Sequence, residues 1–156
     1  RAGQRTRGAT HLVKVACEVA AGRRPVLEVY GTDYPTPDGT CVRDYIHVTD
    51  LVAAHLLLLE HLRGHGGRHL LNVGYGRGFS VRAVVRAVER AAGRPLPVRE
   101  AGRRPGDAAR IVADATLLRD RYGWRPRHDD LDTIVRSALD WERTLVGWAS
   151  DGRRYA

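Results

Sequence analysis

Arg43 stands at the end of a stiff turn. The window 30–50 reads YGTDYPTPDGTCVRDYIHVTD. Gly31, Pro35, Pro37 and Gly39 make its first half a series of turns. Val42 to Val48 then alternates apolar and polar residues, which predicts a short strand. Thr49 or Asp50 would cap a helix starting at Leu51. The loop thus delivers one guanidinium whose planar fork matches phosphate oxygens. The competing reading is a surface pair with Asp44. A second arginine site lies at Gly102-Arg103-Arg104-Pro105-Gly106-Asp107. There an arginine can neutralise phosphate and a carboxylate can accept the hydroxyls of a ribose; the competing reading is an exposed basic turn.

Two further constellations carry less. His61 and His65 stand four apart near a helix end, a spacing that can hold a metal. No third ligand is nearby and His65 sits among glycines, so no metal is expected. Gly74-Tyr75-Gly76-Arg77-Gly78 follows a predicted strand and precedes a helix, which superficially answers the dinucleotide fingerprint. Its glycines are spaced G-x-G-x-G, and no acidic residue ends a second strand about twenty residues on. The turn is therefore not read as a cofactor site.

Composition narrows the class. The 156 residues suffice for one domain with a core, and 43% are hydrophobic against 28% charged, as in an ordinary globular protein. No apolar run has the length of a bilayer span, and the polar, basic N-terminus predicts no signal peptide. Cys17 and Cys41 form neither a disulfide framework nor a metal spacing, so a cytoplasmic location is expected. The net charge of +8 raises a nucleic-acid partner. The arginines are spread along the chain without interleaved stacking aromatics, so neither nucleic acid nor membrane is expected as a partner.

Residues 1–8 read as a flexible end. Residues 9–21 predict a helix through Leu12, Val15, Ala16, Val19 and Ala20, closed by Gly22. A strand is expected over 26–30. A helix over 51–63, with Leu51, Ala54, Leu58 and Leu62 on one face, is expected to be buried on more than one side. Residues 68–74 predict a strand, and Ser80 caps a helix over 81–92 closed by Gly93. Residues 96–101 predict an edge strand. Asp114 begins a short helix ending at Tyr122. A last helix starts near Asp129 or Asp130, with residues 147–156 a loose tail. Residues 9–146 form the folded domain.

The stretch 34–48 resembles the segment Y-P-T-x-D-G-T-x-x-R-D-Y-I-H-V of UDP-glucose 4-epimerases, which are extended short-chain dehydrogenase/reductase-type enzymes. Residues 72–81 resemble that family's N-x-G-x-G-x-G-x-S-V turn, 103–107 its R-R-x-G-D segment, and 123–126 its G-W-x-P. The resemblance implies an NAD-dependent isomerase of galactose metabolism that interconverts UDP-glucose and UDP-galactose, often as a homodimer. It implies a mixed α/β fold, the C-terminal substrate-binding domain, with the Rossmann NAD domain absent. The family's Tyr-x-x-x-Lys pair is missing: the only lysine is Lys14, and Thr10 stands four residues before it. The chain alone is expected to be inactive, with the NAD site outside it. The resemblance also assigns the UDP-sugar contacts. His11 and Leu12 fall at a helix N-terminus facing the diphosphate. Leu27, Glu28 and Tyr30 line the uracil, Arg43 and Arg104 clamp phosphates, Asp107 takes the ribose, and Ile111 falls near the sugar. A dehydratase, a decarboxylase or a stand-alone basic binding module are the alternatives. Parts of 51–63, 46–48 and 70–73 are expected to expose apolar surface.

Overall fold

The computed structural model describes residues 3–6 and 8–150. In chain order the elements are α1 (Leu12–Ala20), β1 (Leu27–Tyr30), β2 (Val42–Asp44), α2 (Val48–His65), β3 (Gly78–Ser80), α3 (Val81–Ala92), β4 (Val98–Ala101), β5 (Arg110–Ile111), α4 (Thr116–Tyr122) and α5 (Leu131–Ser150). They build two small sheets. β1 pairs in parallel with β4, from Leu27 opposite Val98 to Tyr30 opposite Ala101. β2 is central in the other sheet, antiparallel to β3 and parallel to β5, with Arg43 opposite Ile111.

Three helices make the main core. Val15 and Val19 of α1, Val84 and Val88 of α3, and Val135 and Leu139 of α5 close over Leu27. Each such fully buried valine or leucine contributes about 1.5–3 kcal/mol. A second cluster joins Ala54, Tyr75, Leu118, Trp124 and Ile134. α5 serves both clusters because Ile134 and Val135 are neighbours on different faces of one helix. It is the joint between them.

The turn before β2 is rigid for identifiable reasons. The Tyr34 amide donates to the Gly39 carbonyl at 2.9 Å, and Asp38 Oδ1 accepts from the Thr40 amide and hydroxyl at 3.1 and 2.7 Å. Gly39 has φ +78°, and a Cβ there would lie 2.0 Å from the Thr32 carbonyl oxygen. Only glycine fits.

α3 lies where the periodicity puts it. Ser80 Oγ accepts from the Ala83 amide at 3.0 Å, and Gly93 closes the helix in the left-handed region. Elsewhere the structure corrects the sequence. β2 stops at Asp44 rather than Val48, and α2 begins at Val48 rather than Leu51. The cap is His47, whose Nδ1 accepts from the Thr49 amide at 3.2 Å, not Thr49 or Asp50. α1 starts at Leu12, three residues later than expected. α2 is largely exposed instead of buried on several sides: only Asp50 and Ala54 are buried. Val48, Val52, Leu56, Leu59 and Leu62 all face solvent, as does Leu70 at 94% exposure. Residues 68–74 form no strand, because no neighbouring strand pairs with them among the described residues. β5 carries no periodic signal and exists through its pairing with β2. Part of the expected loose N-terminal end is held: Trp141 Nε1 donates to the Gln4 carbonyl at 2.9 Å. The expected tail is helical as far as Ser150. Residues 1, 2, 7 and 151–156 lie outside the described residues.

Candidate functional site

One large cavity, of about 1550 Å³, gathers most of the singled-out residues. His11, Leu12, Leu27, Glu28, Tyr30, Arg43, Arg104 and Asp107 all line it. Its volume exceeds the roughly 300–1,000 Å³ of ordinary small-molecule sites. A ligand held at one end therefore leaves room beside it. Ile111 is not brought in: β5 sets it opposite Arg43, but its side chain is 56% exposed and outside the lining.

β2, β1 and the 102–107 turn position the charged end. Asp107 stands between two guanidiniums. Arg104 Nε donates to Asp107 Oδ2 at 2.9 Å, and Arg43 Nη2 lies 3.7 Å from Asp107 Oδ1. Arg43 does not pair with Asp44; its Nη1 donates to its neighbour's carbonyl at Val42, 2.9 Å away. Asp44 instead accepts from the Tyr75 and Gly76 amides at 3.2 and 2.9 Å. The two consecutive arginines diverge. Arg103 turns to Asp33 at 2.8 Å and lies over the Tyr34 ring, while Arg104 lies over the Tyr30 ring, 4.7 Å from its centroid. The Tyr30 hydroxyl donates to Glu28, which also accepts from Arg99. Those two hydrogen bonds hold the Glu28 carboxyl below its ordinary value, Tyr30 first. The same bond pushes the Tyr30 phenol up.

Chemically this end is an anion site beside an aromatic face. Two arginines half-neutralised by one carboxylate can accept a phosphate group with charge-assisted hydrogen bonds. A planar base can lie against Tyr30, and a carboxylate within reach can take sugar hydroxyls. α1 adds its first amides, since His11 makes no side-chain cap to them.

The glycine-rich turn is built differently. Its Tyr75 and Gly76 amides point at Asp44, and a Cβ on Gly74 would lie 2.6 Å from both Asp44 Oδ2 and Ala113 Cβ. Amides already bonded to an internal carboxylate are not free for a pyrophosphate. The His61 and His65 rings stack 4.4 Å apart, and among the described residues no three His, Cys, Asp or Glu side chains converge on a metal position.

Residues not anticipated as site residues also line the cavity, notably Lys14, Arg24, His47, Arg136 and Ser137. His47 stacks on His128 with ring centroids 4.6 Å apart. Behind them Asp50, 2% exposed, accepts from the Tyr75 hydroxyl at 2.7 Å, the Arg127 and His128 amides at 3.0 and 2.8 Å, and His128 Nδ1 at 3.1 Å. Burial alone would raise the Asp50 carboxyl; these donors outweigh it and hold it well below the usual carboxylate range. A spacing rule had no means of finding this group, because its members come from 47–50, 75, 127–128 and 137.

Comparison with known proteins gives this geometry a context. Residues 2–74 match the NAD dependent epimerase/dehydratase family. The UDP-glucose 4-epimerase of Azospirillum brasilense is 60% identical over 145 residues, 93% of this chain and 42% of that protein. The crystal structure of UDP-glucose 4-epimerase from Brucella ovis in complex with NAD is similar with TM-score 0.85 and 48% identity, over 90% of this chain and 43% of that one. The enzyme from Stenotrophomonas maltophila, with bound NAD and formylated UDP-arabinopyranose, is similar with TM-score 0.88 and 42% identity, over 93% and 43%. The chain thus spans about 42% of the length of the Azospirillum relative. One expectation is overturned. The segment matched as part of the NAD-dependent family takes in α1, β1, β2, α2 and the approach to Gly74. The chain therefore cannot be set apart as a C-terminal substrate-binding domain from which the Rossmann NAD fold is absent. Nor do NAD-bearing relatives support placing the NAD site outside it. Along nine-tenths of its length the chain is similar to UDP-glucose 4-epimerases, and its residues 2–74 carry the match to the NAD dependent epimerase/dehydratase family.

Proposed function

We propose that the chain is a portion of an NAD-dependent UDP-glucose 4-epimerase and that its cavity grips the UDP part of the nucleotide sugar. The observation that carries this reading is Asp107 held between Arg43 and Arg104 over the Tyr30 ring, at the edge of one cavity. In this arrangement the diphosphate displaces Asp107 from the two guanidiniums. The freed carboxylate meets the ribose, and Tyr30 with Leu27 forms the wall for uracil. Gripping the remote nucleotide is a sound use of binding energy, because a sugar that must present both faces has to be held weakly.

The residues supply grip rather than proton transfer. The only lysine, Lys14, is buried in ion pairs with Glu18 and Glu142. By this reading the chain on its own binds without turning substrate over; the homodimer and the cytoplasmic location belong to the same reading. Among the described residues no helix is long and apolar enough to cross a membrane.

Titration of the chain with UDP tests the proposal. Arg43→Ala and Arg104→Ala are each expected to weaken binding about tenfold or more, the cost of one charge-assisted contact. Duplex DNA is the control. DNA binding with a steep salt dependence and no response to UDP would overturn the reading in favour of a basic nucleic-acid module.

A further inference from the structure

We infer that His47 is a positioning residue for the Arg43 wall of the cavity, and that it acts only as the neutral imidazole, releasing that wall at acid pH. The inference rests on the nucleotide-grip reading for its effect on ligand, but not for its effect on the fold.

The geometry defines the tautomer. Nδ1 accepts from the Thr49 amide at 3.2 Å and so carries no proton. The ring proton therefore sits on Nε2, which donates to Ser137 Oγ at 3.1 Å; the Ser137 hydroxyl passes on to the Ile134 carbonyl at 2.8 Å. The His47 imidazole is thus not a base for Ser137, and no nucleophile is made here. What it does instead is tie three things together. It caps α2, it fastens that cap to α5, and it ends the segment Tyr45-Ile46-His47, which continues β2 from Arg43 along the cavity lining.

Protonation undoes the first of these ties, the cap, and leaves Nε2 donating to Ser137. A proton on Nδ1 removes the acceptor for Thr49. It also places a positive charge at the positive end of the α2 dipole. The groups facing the ring act in both directions. His128 stacks on it from the 125–130 segment, Asp50 lies behind His128, the Tyr75 hydroxyl accepts from the His47 amide at 3.1 Å, and α5 presents the uncharged Ser137. Burial first, then His128, lowers the His47 pKa from its ordinary value, against an opposing pull from Asp50. The folded chain therefore keeps this ring neutral at a pH where the unfolded chain protonates it. Its contribution to stability is full above about pH 6.5 and is lost as the pH falls through the lower folded value.

The test measures the urea midpoint and the affinity for UDP-glucose from about pH 8 to about pH 5. UDP-glucose is chosen because its diphosphate diester does not titrate there. The unmodified chain is expected to lose about five- to tenfold in affinity toward the acid end, the value of one helix cap. His47→Asn supplies a cap acceptor that cannot titrate. In that variant the ratio of acid to neutral affinity should fall close to one, and the acid limb of stability should flatten. An unchanged acid limb in His47→Asn overturns the inference, as does a flat profile in the unmodified chain. If UDP-glucose binds at no pH, the nucleotide-grip reading fails while the stability limb still decides the role of His47. Should the variant not fold, proton resonances of the unmodified chain decide: the Thr49 amide must titrate together with the His47 ring, and an unmoved Thr49 amide overturns the inference.

Discussion

Asp50→Ala is expected to lower the stability of the chain by about 3–5 kcal/mol, the cost of removing one partner from a buried charged network. The carboxylate is buried and is the shared acceptor for the Tyr75 hydroxyl, two backbone amides and the His128 ring. Without it, four donors on two segments, 75 and 127–128, lose their acceptor at once, and each buried unsatisfied group costs about 1–3 kcal/mol. Asn is a poor substitute, because its amide group turns a donor toward donors. The pH dependence has a definite sign. The folded carboxyl is held well below the ordinary carboxylate value by these donors, against the opposing effect of burial. Its contribution is therefore complete above about pH 4 and is lost as the pH falls toward the depressed folded value. Urea unfolding of the variant at neutral pH measures the effect. A loss below about 1 kcal/mol would mean that water replaces the carboxylate without penalty.

Glu142→Leu is the second large effect, and a rescue accompanies it. Glu142 is 1% exposed, and it receives Lys14 and Arg23 from α1 and the turn behind it. Lys14, itself 7% exposed, also pairs with Glu18 at 3.0 Å. Removing Glu142 leaves Lys14 buried with half its compensation, at a cost of about 3–5 kcal/mol. Lys14→Met together with Glu142→Leu removes the buried charge and fills the same volume. It should restore most of the loss, since apolar replacements of buried ion pairs are often neutral. Arg23, more than a third exposed, turns to water. If the single and double variants were equally unstable, packing rather than charge would be the reason. The same burial pushes the neighbouring Cys17 thiol up to about 12, with Glu142 adding to the effect, so that thiol stays protonated and unreactive.

Local signals in this chain predict the structure where the bonds that decide it close within one segment. α3 has its stripe of valines, its Ser80 cap and its Gly93 stop, and all three act within the helix. The turn before β2 is likewise local, a set of bonds among Tyr34, Thr36, Asp38, Gly39 and Thr40. The misreadings occur where a distant partner chooses the structure. Alternation through 42–48 predicts a strand to Val48, yet ladder pairing ends at Asp44, because β3 and β5 reach no further. The residues beyond it turn into a helix whose first-turn carboxylate, Asp50, is claimed by 75 and 127–128. An apolar run such as 70–73 needs a neighbour to become a strand, and among the described residues it has none. Leucines in α2 predict burial on more than one side, yet Val52, Leu56 and Leu59 are exposed, which agrees instead with the apolar surface expected over parts of 51–63.

The sequence by itself determined the chemistry on offer: Arg43 behind a rigid turn, Arg104 and Asp107 in a second, Tyr30 at the end of a strand, and one lysine with no tyrosine four residues before it. Spacing and residue type suffice for these, because they are properties of short segments. Only the tertiary structure decided which of them meet. The parallel pairing of β2 with β5 and of β1 with β4 carries Asp107 to a place between Arg43 and Arg104, and sets Arg104 over Tyr30. It left Ile111 outside the cavity. It also made His47, which reads as a strand residue, the tie between α2 and α5, and Asp50, which reads as a cap candidate, the acceptor for Tyr75 and the 127–128 segment. Contacts between residues far apart in the chain depend on which surfaces the core buries together, and that is a property of the whole fold.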